Sequence, residues 1–151
     1  MERVCTAIVI TALALGLLTG GVLGGMHIIH STEVRSTATQ SQKYNSAVKN
    51  FKDQYISLPG DMHNASTYWT GLPDGDGNGR IQYNTGLASE EFVVWQHLSE
   101  YGAIDGEFDG TPTSVPPSNI KNSFFRMSYQ EAVYNEVGHY ISLNAMHPVL
   151  D

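Results

Sequence analysis

The chain opens on an apolar stretch, Val4 to Ile29, that carries no Asp, Glu, Lys or Arg. It is longer than the roughly 20 residues a helix needs to cross a bilayer core. In lipid every backbone polar group must be satisfied within the segment, and for a single stretch that means a helix. A secretory signal has a basic start and a shorter apolar run. Here only Met1-Glu2-Arg3 precedes a long run, so a retained helix is expected rather than a removed signal. Gly16, Gly20 and Gly24 recur at a spacing of four, as do Gly21 and Gly25. Small residues at that spacing let helix backbones approach closely in lipid, so helix packing is expected on this face. The plainer reading is that glycine is simply commoner in membrane helices.

The helical pattern continues past the apolar stretch. Val34, Ala38, Ser41, Tyr44, Val48, Phe51 and Tyr55 fall at steps of four and three, one apolar or small face of an amphipathic helix. Lys43, Lys49, Lys52 and Asp53 lie away from it, and no proline intervenes before Leu58-Pro59-Gly60-Asp61, which reads as a turn. A continuous helix from Val4 to Ser57 is therefore expected, about 80 Å long at 1.5 Å per residue. The organisation that follows is a transmembrane half (1–30), an amphipathic half (31–57) and a globular head (58–151) seated on the apolar stripe. The fold class is α+β: a long N-terminal helix, transmembrane then amphipathic, packed on a small head with a short helix and an antiparallel sheet.

The formal net charge of −7 leaves no basic patch to neutralise phosphates, so nucleic-acid binding is not expected. The single cysteine, Cys5, lies in the apolar stretch and has no intrachain partner. Within the head, Met62–Thr70 reads as a short helix or turn with Tyr68 and Trp69 facing the core. Asn64-Ala65-Ser66 fits a glycosylation acceptor, or a chance match in a polar loop. Ala88–Tyr101 reads as a helix capped by Ser89 or Thr85, with Glu90 and Glu91 in its first turn and Val94, Trp95, Leu98 and Tyr101 on one face. His97 beside that face is a packed or surface histidine before it is a ligand. Ser123–Tyr129 and Glu136–Leu143 read as two antiparallel strands packed on the amphipathic helix.

The most chemically loaded segment is Asp74-Gly75-Asp76-Gly77-Asn78-Gly79-Arg80-Ile81, which follows the start of a calcium loop, D-x-D-x-N-G. Calcium takes six to eight oxygens. Asp74, Asp76 and Asn78 can aim three side-chain oxygens at one point, and the Arg80 carbonyl adds a fourth. The twelfth position, where such loops carry a bidentate Glu, is Thr85, so Glu90 and Glu91 are the candidates to fold back as ligands. The alternative is an Asp/Gly/Asn turn that holds no metal. Asp105, Glu107 and Asp109 form a second acidic loop, read as solvated. No GxSxG, HExxH, P-loop or Cys–His pair outside the apolar stretch is present, and the chain is expected not to be an enzyme.

Taken in order, these features resemble the type IV pilin-like (prepilin-type or pseudopilin) family. The carrying residues are Gly21-Val22-Leu23-Gly24-Gly25, Glu33-Val34-Arg35-Ser36, and the run Tyr44…Ala47-Val48…Phe51…Tyr55. They continue with Leu58-Pro59-Gly60-Asp61, Asn64-Ala65…Trp69, Gly75-Asp76-Gly77-Asn78-Gly79…Ile81 and Glu90-Glu91…Trp95-Gln96-His97-Leu98…Gly102-Ala103-Ile104…Gly106. The family's leader ending in Gly, followed by Phe-Thr-Leu-Ile-Glu, is not matched by Met1-Glu2-Arg3-Val4-Cys5. Ungapped alignment sets Ala7 where that Glu would stand. The resemblance implies a filament subunit of a type IV pilus or type II secretion pseudopilus. It implies single-pass insertion in the bacterial inner membrane with a periplasmic head, then a place in a periplasmic or extracellular fibre. The implied partners are copies of itself, other pilin-like subunits and the assembly machinery. Self-assembly would run through Gly16, Gly20, Gly21, Gly24, Gly25, Val34, Ala38, Tyr44, Val48 and Phe51. The competing expectation is a membrane-tethered periplasmic or extracellular calcium-binding module.

Overall fold

The structure, a computed structural model, describes residues 13, 31–83, 89–133 and 136–145. The chain divides into two units, Met1–Ser36 and Thr37–Asp151. Residues 31–55 are α-helical; 31–36 belong to the first unit and 37–55 (α1) to the second. Apart from Leu13, the stretch expected to span a membrane lies outside the described residues, and so do Gly16, Gly20, Gly21, Gly24 and Gly25. Among the described residues no helix is long and apolar enough to cross a membrane.

The second unit is α+β. After α1 come a single-turn helix, α2 (Ala65–Tyr68), a longer helix, α3 (Glu90–Glu100), and the strands β1 (Ser123–Val133) and β2 (Glu136–Ala145). The strands pair antiparallel, Ser123 opposite Ala145 and Gln130 opposite Gly138, with an irregularity between Gln130 and Val133. Alternation along β1 sends Phe125 and Met127 into the core, as the period of two requires when one face is buried.

The core lies where α1, α3 and β1 meet. Tyr44 stands edge-on to Trp95 of α3 at 5.2 Å and to Phe125 of β1 at 4.9 Å between ring centres. Phe51, with no exposed surface, packs on Tyr55, Trp69 and Tyr101. The stripe expected on the amphipathic helix is thus buried at Tyr44 and Phe51, and partly at Ser41, Val48 and Tyr55. Val34 is 49% exposed and Ala38 is exposed, while Thr37 and Ala47 are buried instead. The buried face follows steps of three and four that pass through 37, 44, 47 and 51; at Tyr44 it meets Trp95 of α3 and Phe125 of β1, and at Phe51 it meets His97 of α3.

Two further expectations shift. Tyr68 is exposed, its ring against Tyr55 and Trp69, and only Trp69 of the pair packs against the core. The α3 helix is buried on more than one face: Glu90, Glu91, Phe92, Val93 and His97 join Val94, Trp95 and Leu98. It is flanked by α1, by β1 and by the 58–75 segment, so a single apolar stripe does not describe it. The α1 helix ends on Ile56, whose φ of 54° puts a β-branched residue in the left-handed region and whose N–H donates to the Lys52 carbonyl at 2.8 Å.

Two consequences are measurable by chemical denaturation. Phe51→Ala is expected to lose about 3–5 kcal/mol by opening a cavity in a close-packed cluster, whereas Val34→Ala changes stability by less than about 0.5 kcal/mol. Ile56→Gly is expected to raise stability by about 1 kcal/mol, because only glycine adopts that backbone conformation without steric cost.

Candidate functional site

The site is built from three segments that touch through glycine. Gly60, at φ 86°, sits so close to the start of α3 that a Cβ there would lie 2.6 Å from the Glu90 carbonyl oxygen. Gly75 fits against the Gly60–Asp61 peptide, where a Cβ would lie 2.4 Å from backbone atoms. Backbone bonds fasten the same contact: Gly75 N–H to the Met62 carbonyl at 2.8 Å and Gly77 N–H to the Asp61 carbonyl at 3.0 Å. With no side chain at these two positions, the 58–61 turn, the 74–79 loop and the first turn of α3 close on one another.

Their carboxylates converge. Asp61, Asp76 and Glu90 each place a carboxylate oxygen within 4.8 Å of the others. Asp61 is only 2% exposed; its Oδ2 accepts the Gly79 N–H at 2.9 Å, and its Oδ1 is buried without a hydrogen-bond partner. Glu90 is equally buried, with Oε1 accepting the Asp76 N–H at 3.1 Å and Oε2 the Gln82 N–H at 3.0 Å. Asp76 is exposed and turns back on Asn78, whose N–H and amide Nδ2 donate to its two oxygens at 3.0 and 2.7 Å. Burial pushes the Asp61 and Glu90 carboxyls above the ordinary carboxylate range, and the neighbouring acids push the same way.

The ligands expected from sequence therefore divide. Asp76 and Glu90 come together. Asp74 turns away to α2, accepting the Ser66 N–H at 2.8 Å and the Ser66 hydroxyl at 3.0 Å, bonds that hold its carboxyl below the usual range. Asn78 accepts the Arg80 N–H at 2.8 Å through Oδ1. The Arg80 guanidinium lies over the Tyr129 ring at 4.7 Å. Glu91 points to the sheet, where Arg126 meets its Oε2 through Nε at 2.7 Å and Nη2 at 2.5 Å. Adjacent residues on a helix are about 100° apart, which sends Glu90 and Glu91 to different neighbours. Asp61, unassigned in sequence, is the third member. Its only signal was its place beside a Pro-Gly turn. Thr85 lies outside the described residues, and the Ser89 hydroxyl reaches the Gln82 carbonyl at 3.4 Å instead of capping α3. In the second acidic loop, Asp105 pairs with Lys43 at 2.8 Å and Asp109 accepts from Thr111.

His97 holds the site from below. It is fully buried, its ring beside those of Phe51 and Trp69 at 6.2 and 6.4 Å, the three forming one triangular cluster. Its Nδ1 accepts the Gly60 N–H at 2.9 Å, and Nε2 lies 3.0 Å from the Pro73 carbonyl oxygen. That pair assigns the neutral tautomer with the proton on Nε2. One imidazole thus ties the 58–61 turn and the approach to the 74–79 loop onto α3. At the other end of the loop, the Ile81 N–H donates to His139 Nε2 at 3.2 Å and the Tyr129 N–H to the Ile81 carbonyl at 2.8 Å, joining it to the sheet.

Compared with protein-family models, curated proteins and solved structures, the chain matches none.

The His97 geometry has a pH consequence. Burial pushes the imidazole below its ordinary value of 6.5, and a second ring proton would face the Gly60 N–H. The folded chain binds that proton less readily than the unfolded chain. The contribution is therefore complete above about pH 6.5 and is lost as pH falls. Asp61 and Glu90, whose carboxyls are raised, act in the opposite sense. In denaturation measured at about pH 7 and pH 5, His97→Gln, which keeps a donor and an acceptor without a titrating ring, is expected to lose less stability than the parent. An equal loss would remove His97 as the cause.

Proposed function

We propose that the chain is a structural subunit of a type IV pilus-like filament or type II secretion pseudopilus. In this reading the 4–29 stretch holds it in the bacterial inner membrane before assembly, with the head on the periplasmic side. The basis is the ordered set of motifs that resembles the pilin-like family. The observation that supports it in the fold is the uneven use of the apolar stripe. Tyr44 and Phe51 are consumed by the head's own core, while Val34 and Ala38, on the same expected stripe, are exposed. Apolar surface left at those positions suits contact with a neighbouring helix. The glycines from Gly16 to Gly25 supply the corresponding close-packing positions within the lipid-facing stretch. Partners in this reading are further copies of the chain, other pilin-like subunits and the assembly machinery, and the role is mechanical rather than catalytic.

The test separates assembly from folding. Gly20→Leu, Gly24→Leu and Val34→Glu are each expected to abolish incorporation into filaments and Cys5–Cys5 crosslinking between copies, while the thermal midpoint of the chain stays within about 2 °C of the parent. Assembly at the parental level in all three variants would defeat the reading.

A further inference from the structure

Acidic clusters are common at protein surfaces and mean little alone. The cluster formed by Asp61, Asp76 and Glu90 differs in where its oxygens lie. Asp61 and Glu90 are each 2% exposed, and Asp61 Oδ1 is out of water with no hydrogen-bond partner while its sister oxygen is held by the Gly79 N–H. A buried, unpartnered carboxylate oxygen is costly and calls for a positive partner.

We propose that Asp61, Asp76 and Glu90 bind one calcium ion, which clamps the 74–79 loop between the 58–61 turn and the first turn of α3. The donors are all oxygen, which selects a hard cation over zinc or copper. Their oxygens lie within 4.8 Å of one another, a span that ligands about 2.4 Å from one calcium ion can occupy. The two backbone N–H groups bonded to Glu90 fix its carboxylate, and each oxygen keeps a second lone pair for a metal. Asp76, being exposed, gives the ion a way in from solvent and leaves room for waters to complete six to eight oxygens. Calcium is favoured over magnesium because it tolerates irregular geometry, whereas magnesium demands a near-ideal octahedron, and two of these carboxylates are already held in place by the backbone. A proton shared between Asp61 and Asp76 would satisfy the unpartnered oxygen but would leave Glu90 beside a negative neighbour. A cation serves all three.

This assignment goes beyond the filament reading and does not depend on it, since binding is scored on the chain without assembly. The full chain, purified in detergent and stripped with chelator, is expected to bind one calcium per chain in equilibrium dialysis. Its melting temperature should rise by about 5 °C or more once calcium is well above its dissociation constant. Asp61→Asn is expected to weaken calcium binding at least about tenfold and, in chelator, to melt at or above the parent because a buried charge is gone. Asp74→Asn, whose side chain serves Ser66, should keep the full calcium response. Glu90→Gln gives the same reading should Asp61→Asn fail to fold. No binding by the parent at millimolar calcium would overturn the proposal, as a shared proton in place of an ion requires. So would a parental response in Asp61→Asn, loss of response in Asp74→Asn, or an equal response to magnesium.

Discussion

A single buried imidazole carries the contact on which the head depends. Two stretches of irregular chain, the 58–61 turn and the Leu72–Pro73 segment, must lie against α3 without strand or helix partners of their own. Irregular backbone brought into a core has to find hydrogen bonds. His97 supplies one to each: an acceptor for the Gly60 N–H and a donor for the Pro73 carbonyl. The ring lies against both Phe51 of α1 and Trp69 after α2, so the polar bridge sits in the aromatic cluster. The bridge needs the neutral ring, and burial keeps it neutral.

With those segments seated, the rest of the site follows from close approach. Gly60 and Gly75 allow backbones to touch where any side chain would collide. The carboxylates of Asp61, Asp76 and Glu90 are then brought together whatever their mutual repulsion. Burial of like charges is unfavourable, and the fold meets it in two ways. Glu91, one residue from Glu90, is compensated by the Arg126 guanidinium reaching from β1. Asp61 and Glu90 accept backbone N–H groups, which stabilise a carboxylate but supply no full positive charge. That difference between two neighbouring glutamates is what makes one a link between helix and sheet and the other part of a candidate ion site.

Much of the scaffold was legible in the sequence because it rests on periodicity. Tyr44, Phe51 and Tyr55 lie on a helical face, Phe125 and Met127 alternate on a strand, and Glu90 to Tyr101 carries a helix start and a glycine stop. These are local patterns, and each element formed about where they put it. The Val34 and Ala38 positions show the limit of such a pattern: a stripe reports a face able to be buried, not how far along it the core extends. The site was half legible. The D-x-D-x-N-G spacing drew attention to the loop that carries Asp76, a member of the acidic cluster. The same spacing favoured Asp74, which instead closes onto the Ser66 backbone eight residues back. A short-range bond to a free N–H wins over convergence on a distant point.

By itself, the sequence determined the elements: an apolar opening stretch, an amphipathic helix, a single-turn helix, a buried helix and an antiparallel hairpin. These follow from side-chain spacing and from turn residues that need no distant partner. Only the tertiary structure decided which carboxylates meet. The sequence could group Asp76 with Glu90, but nothing in the neighbourhood of Asp61 marks it as their third member. The three converge because two glycines remove the side chains that would hold three backbones apart, and because His97 pins those backbones in place.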